Sequence, residues 1–317
     1  MARVLITGAS GFIGSHLARA CLARGDAVSV LLRPGSSLRR LDGIASRLQV
    51  FRLHLTSAPA LAACLADARP GVIFHAGSTT RYAAEDPASL TRSVEDNLLA
   101  LTTLLAEAAK APEPPQVLLR LGTIAEYGDI EVPFRESDRE QPRGAYGVSA
   151  LACTQYMAAA QPQLPFTAVT ARLALTYGPG QSADFLIPQL ARNLLAGRPT
   201  TLRRPQDRRE LIYVGDAVAG LLQIADAPEK VAPLVNLGTG QAPRMAAAAR
   251  LLARAGGAPE TLIRQAAQPG PPSELRASPD LLNARLGWRA PTSLTEGFER
   301  MLQWERRNLA DRRTAQA

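Results

Sequence analysis

The sequence predicts an α/β protein with a doubly wound parallel β-sheet, in which helices cover both faces of the strands. Short apolar runs such as Arg3–Thr7 and Gly71–His75 alternate with longer segments of helical periodicity up to about residue 175. Strands that are apolar throughout are typical of a parallel sheet buried on both faces. Aromatic residues make up only 5% of the chain, and Ala and Leu dominate the apolar set, which favours helices packed on a sheet over an all-β sandwich.

The individual elements follow in order along the chain. The strand Arg3–Thr7 leads through glycines into a helix from Phe12 to about Arg24, and Gly25 stands where a helix end favours glycine. The same alternation predicts further strands at Val28–Leu32, Val50–Leu53, Gly71–His75, Val117–Leu121 and Thr167–Leu173, and helices at Ala58–Ala68, Leu90–Ala109 and Tyr146–Ala160.

A glycine-rich turn, TGASGFIG, joins the first strand to the first helix. Gly8 allows a tight turn, Gly11 lets the backbone approach a pyrophosphate, and Gly14 lets the helix pack closely on the sheet. The free N–H groups and positive dipole end of the helix then face the phosphates. Because the glycines occur at the end of a predicted strand, the turn predicts a Rossmann dinucleotide-binding domain and not merely a tight turn.

The end of the second strand bears on which dinucleotide binds. Domains that bind NAD place an acidic residue there for the ribose hydroxyl, whereas this chain has Arg33, with Ser36 and Arg39 or Arg40 nearby. An arginine can bind a 2′-phosphate, so the sequence favours NADP(H), and NAD(H) stays possible. The alternative is that Arg33 stacks on the adenine.

Beyond residue 175 the alternation is lost. Pro and Gly breaks such as Gly178-Pro179-Gly180 and shorter elements predict a smaller lobe. We expect a dinucleotide-binding domain over residues 1–175 and a mainly substrate-binding α/β lobe over 176–317, with segments that return to the Rossmann sheet. Residues 306–317 are charged and predict an unstructured tail.

Composition argues against several other classes of protein. The net charge is +8, but the arginines are scattered without interleaved aromatics, so we expect no nucleic-acid binding. No apolar run is long enough to span a membrane, and the first residues do not resemble a signal peptide, which predicts a cytoplasmic protein. The three cysteines and three histidines are too widely spaced for a metal site, and the thiols are expected to be reduced.

A series of short motifs in a fixed order bears on the family to which the chain is similar. It comprises TGASGFIGSHL, Phe74-His75-Ala76-Gly77, Asn97, Tyr127-Gly128, Tyr146-Gly147-x-Ser149, Tyr177-Gly178-Pro179, RELIYVxD ending at Asp216, and Leu286-Gly287-Trp288. In this order, over residues 3 to 304, the chain resembles the extended short-chain dehydrogenases/reductases of the nucleotide-sugar epimerase/dehydratase group.

The resemblance implies roles for individual residues. Tyr146 is the proton donor or acceptor during hydride transfer, and Thr123 binds the same substrate oxygen. The implied cofactor contacts are Gly8, Ser10, Gly11, Phe12, Ile13, Gly14, Arg33, Ser36, His54, Leu55, His75, Ala76, Gly77, Asn97 and Tyr146. The implied substrate contacts are Thr79, Leu175, Arg209 and Arg276.

The chain departs from the family pattern at several of these positions. Ala150 replaces the lysine of the YxxxK motif, which in the family lowers the tyrosine pKa and binds the nicotinamide ribose. An engineered variant, a natural enzyme that uses another cation, and a binding protein without catalysis all stay open. His54 replaces an aspartate near the adenine, so that contact is made differently or by the Leu55 backbone, and Leu175 replaces an asparagine that touches substrate.

The resemblance also bears on the reaction. Family dehydratases have Thr-Asp-Glu where this chain has Thr123-Ile124-Ala125, which disfavours 4,6-dehydration. The segments around Glu126 and Gly178–Phe185 are more similar to 4-keto-6-deoxy-hexose reductases, so reduction of a keto-sugar nucleotide is expected. C4 epimerisation, a non-sugar ketone or alcohol substrate, and a non-catalytic dinucleotide-binding protein are the alternatives. A homodimer through helices 90–109 and 146–160 is also expected, although their apolar faces could equally belong to the core.

Overall fold

A seven-stranded parallel sheet forms the centre of the structure, a computed structural model that describes residues 1–80 and 86–314. With elements numbered in chain order, its strands are β1 (Arg3–Thr7), β2 (Ala27–Leu32), β3 (Gln49–Arg52), β4 (Val72–His75), β5 (Val117–Thr123), β6 (Thr167–Leu173) and β11 (Leu234–Leu237). Their spatial order is β11-β6-β5-β4-β1-β2-β3. This is the doubly wound Rossmann order, extended by one strand from late in the chain.

Helices pack on both faces of this sheet. They are α1 (Phe12–Ala23), α2 (Ala58–Ala68), α3 (Pro87–Ser93), α4 (Ala100–Lys110), α5 (Gly144–Ala160) and α7 (Val214–Asp226). One face is filled by side chains of α1 and α7, and the other by side chains of α2, α4 and α5, as two separate buried clusters. Because helices cover both faces of the sheet, its strands are apolar throughout and could be predicted from the sequence.

The order of the strands reverses between β1 and β4. These two strands lie side by side, with Thr7 opposite His75, although α1, β2, β3 and α2 separate them along the chain. Chain segments leaving the two strands therefore diverge and leave a crevice at their carboxyl ends, which is where ligands bind in folds of this kind.

A second group of elements lies beyond β6. It consists of β7 (Leu175–Tyr177), α6 (Leu186–Leu195), β8 (Thr200–Leu202), β9 (Arg208–Arg209), β10 (Leu211–Tyr213), α8 (Met245–Gly256), β12 (Ile263–Gln265), β13 (Glu274–Leu275), α9 (Asp280–Leu286) and α10 (Leu294–Thr314). The strands form three two-stranded parallel pairs, and α6, α8 and α10 enclose a third buried apolar cluster. The later part of the chain also contributes β11 and α7 to the first unit.

Two elements differ from the expectations. The predicted helix at 90–109 consists of α3, a π-helical segment Val94–Leu99 and α4 in succession. The predicted unstructured tail is wrong for residues 306–314, because α10 continues to Thr314, and residues 315–317 lie outside the described residues. Within the described residues, none of the helices combines the length and the apolar character that crossing a membrane requires.

Candidate active site

The glycine-rich turn brings three chain segments into direct contact. Gly8 has φ +69°, and a Cβ atom there would lie 2.6 Å from the Cα of Gly77 in the loop after β4. A Cβ atom on Gly14 would lie 2.4 Å from the carbonyl oxygen of Gly8. The turn, the start of α1 and the loop after β4 therefore pack at distances that only glycine permits.

A smaller cavity of about 270 Å³ lies at the carboxyl ends of β1, β2 and β4. It brings together ten of the residues assigned from the sequence, namely Gly8, Ser10, Gly11, Arg33, Ser36, His54, Leu55, Ala76, Gly77 and Thr79. The backbone turn, the polar side chains and one exposed arginine form a polar site next to the N terminus of α1. Such a site suits the adenosine half of a dinucleotide.

A larger cavity of about 1150 Å³ continues from the smaller one, and both are lined by Gly11, Ala76 and Ser78. Sequence-assigned residues on its wall are Phe12, Ile13, Gly14, Thr123, Tyr146, Leu175 and Arg209. The wall of the larger cavity thus combines the glycine-rich turn, Thr123 and Tyr146 with arginines of the second unit. Its volume can hold both a nicotinamide and a second ligand of nucleotide size.

Thr123 ends β5 and caps the short helical turn that follows. Its Oγ1 accepts a hydrogen bond from the N–H of Ala125 at 3.2 Å, and its own N–H donates to Glu126 Oε1 at 3.1 Å. Because Oγ1 acts as acceptor toward Ala125, the hydroxyl proton is left to donate to a ligand oxygen.

Tyr146 lies in the first turn of α5, and a set of hydrogen bonds fixes that helix against the loop after β4. Asn97 Nδ2 donates to Ser149 Oγ at 3.0 Å, while Asn97 Oδ1 accepts from Ser78 Oγ and the Thr79 N–H. Asn97 is buried in the π-helical segment. It supports the walls of both cavities without lining either one.

Ala150 lies one helical turn after Tyr146, on the same face of α5. The residue is buried, and its carbonyl oxygen accepts a hydrogen bond from Arg120 Nη2 at 3.0 Å. The Arg120 guanidinium therefore contacts the backbone of residue 150, the position at which the family has a lysine.

Arg120 belongs to a buried ionic cluster between β5, β6 and α5. Glu126 accepts from Arg172 Nε at 2.7 Å and from Thr154 Oγ1 at 2.6 Å, and Arg120 Nη1 lies 3.4 Å from Glu126 Oε1. Arg172 also pairs with Glu140 and lies over the Tyr127 ring. Two arginines and two glutamates thus balance one another, as buried charges require, and only Glu140 is partly exposed.

Some assigned residues lie elsewhere than the sequence implied. The side chain of His75 is buried behind the turn, where Nδ1 lies 2.8 Å from Thr7 Oγ1, and it lines neither cavity. Burial, with a smaller contribution from Arg120, lowers the pKa of His75 to about 3. Arg276 pairs with Glu274 at 2.6 Å and likewise lines neither cavity.

The arginine-rich end of the larger cavity is organised around Asp207. Its carboxylate accepts from Arg204 and Arg209, each at 2.6 Å. Burial acts to raise the pKa of Asp207, but the hydrogen bonds from Arg204 and Ser273 outweigh it and hold the value at about 2. The aspartate thereby orients two guanidinium groups that, together with Arg203, line the cavity wall.

Sequence reasoning missed two features of the site. One is the buried ionic cluster, although arginines inside the apolar strands VLLRLGT and TAVTARL were a usable signal, because a buried charge needs a partner. The other is the location of Arg40, which the sequence put beside Arg33 near a 2′-phosphate but which lines the larger cavity and not the smaller one. Among the residues described, no group of three or more potential ligands could hold a metal ion.

Comparison with known proteins agrees with this geometry. The model of the NAD dependent epimerase/dehydratase family matches residues 4–238. UDP-glucuronate 4-epimerase 1 of Arabidopsis thaliana is 31% identical over 72% of this chain, and the match spans 56% of that relative. The dTDP-6-deoxy-L-talose 4-dehydrogenase (NAD(P)(+)) of Kitasatospora kifunensis is 29% identical over 95% of this chain and 94% of its own length.

A solved structure shows the same fold over nearly the whole chain. UDP-glucose 4-epimerase from Thermus thermophilus, crystallised with NAD, has a TM-score of 0.82 and is 25% identical, and the match covers 96% of this chain and 98% of that one. The family match, the strand order and the glycine-rich turn agree with one another. This chain is a member of the NAD-dependent epimerase/dehydratase family, a family of extended short-chain dehydrogenases/reductases.

Proposed function

We propose that this enzyme reduces a 4-keto sugar nucleotide, most simply a 4-keto-6-deoxy sugar, with NADPH. The observation that carries the proposal is that one cavity is lined by the glycine-rich turn, by Thr123 and Tyr146, and by the arginines around Asp207. A ligand with a sugar at one end and a diphosphate at the other matches the last two of these groups. The larger cavity also presents Leu175 and Phe185, which are 38% and 40% exposed, and apolar side chains suit a deoxygenated sugar.

Each residue then has a defined task. A reduced dinucleotide held by the glycine-rich turn and Arg33 would supply the hydride for the keto carbon. Tyr146 donates its hydroxyl proton to the oxygen on which negative charge develops, and Thr123 donates a hydrogen bond to the same oxygen. Asn97 and Ser149 hold α5 against the loop after β4, so that Tyr146 keeps its position over the cavity.

The diphosphate of the substrate is assigned to the second unit. Arg209 is held by Asp207 and by Ser273, whose hydroxyl lies 2.9 Å from Nη2, and it faces the larger cavity. Two pre-oriented guanidinium groups suit a diphosphate better than mobile ones, because less conformational entropy is lost on binding. We therefore assign residues 176–317 mainly to substrate binding.

NADP(H) is proposed as the preferred dinucleotide because Arg33 and Ser36 line the smaller cavity. Replacing Arg33 by Met should weaken NADP+ about 10- to 100-fold and leave NAD+ nearly unchanged, since only NADP+ carries the 2′-phosphate. Titration of both dinucleotides against the variant measures this. An equal loss for the two would show that Arg33 stacks on the adenine.

The reaction itself is tested by cofactor consumption. Purified enzyme, NADPH and a dTDP- or GDP-linked 4-keto-6-deoxy hexose should give NADP+ in a 1:1 ratio to the reduced sugar. C4 epimerisation is the second candidate, favoured by the similarity to a UDP-glucuronate 4-epimerase. Epimerisation predicts interconversion of UDP-sugars with bound NAD+ and no net consumption of the dinucleotide.

We further propose that the enzyme works in the cytoplasm, where sugar nucleotides and NADPH are both supplied.

A further inference from the structure

Arg40 connects the glycine-rich turn to the loop that follows β7. Its Nε donates to the carbonyl oxygen of Gly180 at 3.1 Å, and its Nη1 lies 3.4 Å from the carbonyl oxygen of Ser10. The turn belongs to the Rossmann unit, whereas Gly180 lies beyond β7 in the later part of the chain. One exposed side chain thus touches both sides of the crevice.

Arg40 does not line the smaller cavity with Arg33 and Ser36, where the sequence predicts it. Arg33 and Ser36 face the smaller cavity, where a 2′-phosphate would lie, but Arg40 is on the wall of the larger cavity with Gly11, Phe12 and Ile13. Those three residues form the start of α1, whose free N–H groups and positive dipole end attract phosphate. Arg40 therefore adds a full positive charge where the fold already binds a pyrophosphate.

The chemistry of the side chain fits this location. A guanidinium has five N–H donors in a planar fork that matches phosphate oxygens. The contacts above use Nε and Nη1, and no acceptor for Nη2 is found among residues 1–80 and 86–314. The group can therefore keep its contact to Gly180 and still bind an anion.

A second side chain of the Rossmann unit holds the same loop. His16, one turn into α1, lies with Nε2 2.8 Å from the carbonyl oxygen of Pro179. The loop leads directly into Gln181, whose Nε2 donates to the carbonyl oxygen of Thr176, and both residues line the larger cavity. Fixing the loop at Pro179 and Gly180 thereby fixes part of the wall against which a substrate binds.

We propose that Arg40 binds the cofactor pyrophosphate together with the N-terminal amides of α1, and that dinucleotide binding thereby adds to the order of the loop at residues 178–182, which Arg40 already contacts at Gly180. The proposal rests on dinucleotide binding, a part of the proposed function, but not on the reduction of any particular sugar. Arg40 acts as a binding and positioning residue and does not take part in the chemistry.

The test compares R40M with R39M by titrating NAD+, NADP+, ADP-ribose and adenosine in the absence of sugar nucleotide. Arg39 is an exposed neighbour that lines neither cavity, so R39M controls for the loss of one positive charge. R40M should raise the Kd of NAD+, NADP+ and ADP-ribose by the same factor, about 10- to 100-fold, and leave adenosine unchanged. R40K should recover only part of the affinity, because an ammonium lacks the planar fork.

Three results would overturn the pyrophosphate assignment. The first is a loss of affinity in R40M that is confined to NADP+, which would make Arg40 a 2′-phosphate ligand. The second is an equal loss of affinity in R39M, and the third is unchanged affinity in R40M for all four ligands.

The loop is tested separately by hydrogen exchange at the amides of residues 180–182. These amides should gain protection when NAD+ binds to the native protein and not in R40M at saturating NAD+. Equal gains would refute the ordering of the loop. None of these readouts depends on turnover, so failure of the proposed reaction stays distinguishable.

Discussion

Position 150 decides how far the proposed chemistry can proceed. A free tyrosine has a pKa of about 10, and a nearby positive charge would lower that pKa and make Tyr146 a stronger proton donor toward the developing alkoxide. Arg120 binds the carbonyl oxygen of Ala150, but its charge is balanced by Glu126. The Arg120 guanidinium thus holds α5 in place but does not take over the role of the family lysine, which lowers the pKa of the tyrosine. That role is left to the oxidised nicotinamide or to a lysine introduced at position 150.

We expect Ala150→Lys to raise kcat for the keto-sugar reduction about 10²- to 10⁴-fold, the range that a positioned proton-transfer group supplies. Ala150→Met is the matched control, because it has similar length without charge and should give no gain. The gain should also vanish in the double variant Ala150→Lys/Tyr146→Phe. A gain that persists without the tyrosine hydroxyl would remove Tyr146 from its proposed role.

His75 makes stability depend on pH. Its folded-state pKa is about 3, whereas an unfolded histidine titrates near ~6.5, so the folded state binds fewer protons between these values. Stability due to this group is present above pH ~6.5 and is lost as the pH falls toward 3, by about 1.4 kcal/mol per pH unit. Urea unfolding from pH 7 to 5 should therefore show a shallower decline in His75→Gln than in the native protein.

His54→Gln serves as the control for that measurement, because the His54 side chain is exposed. It should decline with pH as the native protein does. Parallel curves for native protein and His75→Gln would mean that His75 is protonated in the folded state, contrary to its burial against Thr7.

At the level of elements, the buried ionic cluster holds β5, β6 and α5 in one arrangement. Glu126 is completely buried and binds both arginines of the cluster, and it also accepts from the Thr123 N–H. A glutamine at this position would leave two buried guanidinium groups without their shared negative charge. We expect Glu126→Gln to lower the free energy of unfolding by about 3–5 kcal/mol.

Glu131→Gln removes the same charge from an exposed position and should change stability by less than about 0.5 kcal/mol. Denaturant unfolding at neutral pH compares the two variants. If both show the same small loss, the cluster does not contribute to stability in the way its burial implies.

The predictability of the elements differs between the two halves of the chain. β1 was predicted with both ends, and β3 was shifted by one residue, because an apolar run covered on both faces is a strong local signal. The π-helical segment could not be predicted, since the helical pattern continues through it. β9 and β13 have two residues each and form by pairing with each other across more than 60 positions. No local sequence pattern therefore predicts them.

Prediction of the site followed the same division. Residues on the turn and at strand ends line the smaller cavity, a location that follows from the backbone and that the sequence could indicate. The directions of the Arg40 and His75 side chains could not be predicted, since they depend on neighbours distant in sequence, Gly180 in one case and Thr7 in the other.

For the whole molecule, the proposed dimer interface consists of exposed apolar side chains on neighbouring helices. Leu90, Val94 and Leu99 lie along α3, the π-helical segment and its junction with α4, and Val148 and Tyr156 lie along α5. Each is close to half exposed, and α5 contacts both of the other segments. Several half-exposed apolar side chains on adjoining helices favour an association surface here.

Val148→Glu should convert the dimer to a monomer, since it would bury two unpaired carboxylates across a twofold interface. Light scattering at several concentrations measures the mass. Lys230→Glu introduces the same group at an exposed position outside these helices and should leave the dimer intact. A native protein of monomer mass at all concentrations would refute the interface.

The position of β11 in the sheet has a consequence for the newly made chain. β6 leaves the ribosome long before β11, its only partner on that side, because residues 174–233 lie between them. Until then β6 presents an unpaired edge to which another nascent strand could add. β6 is thus open to strand addition during synthesis of the chain, and a translational pause before residue 234 would prolong that interval.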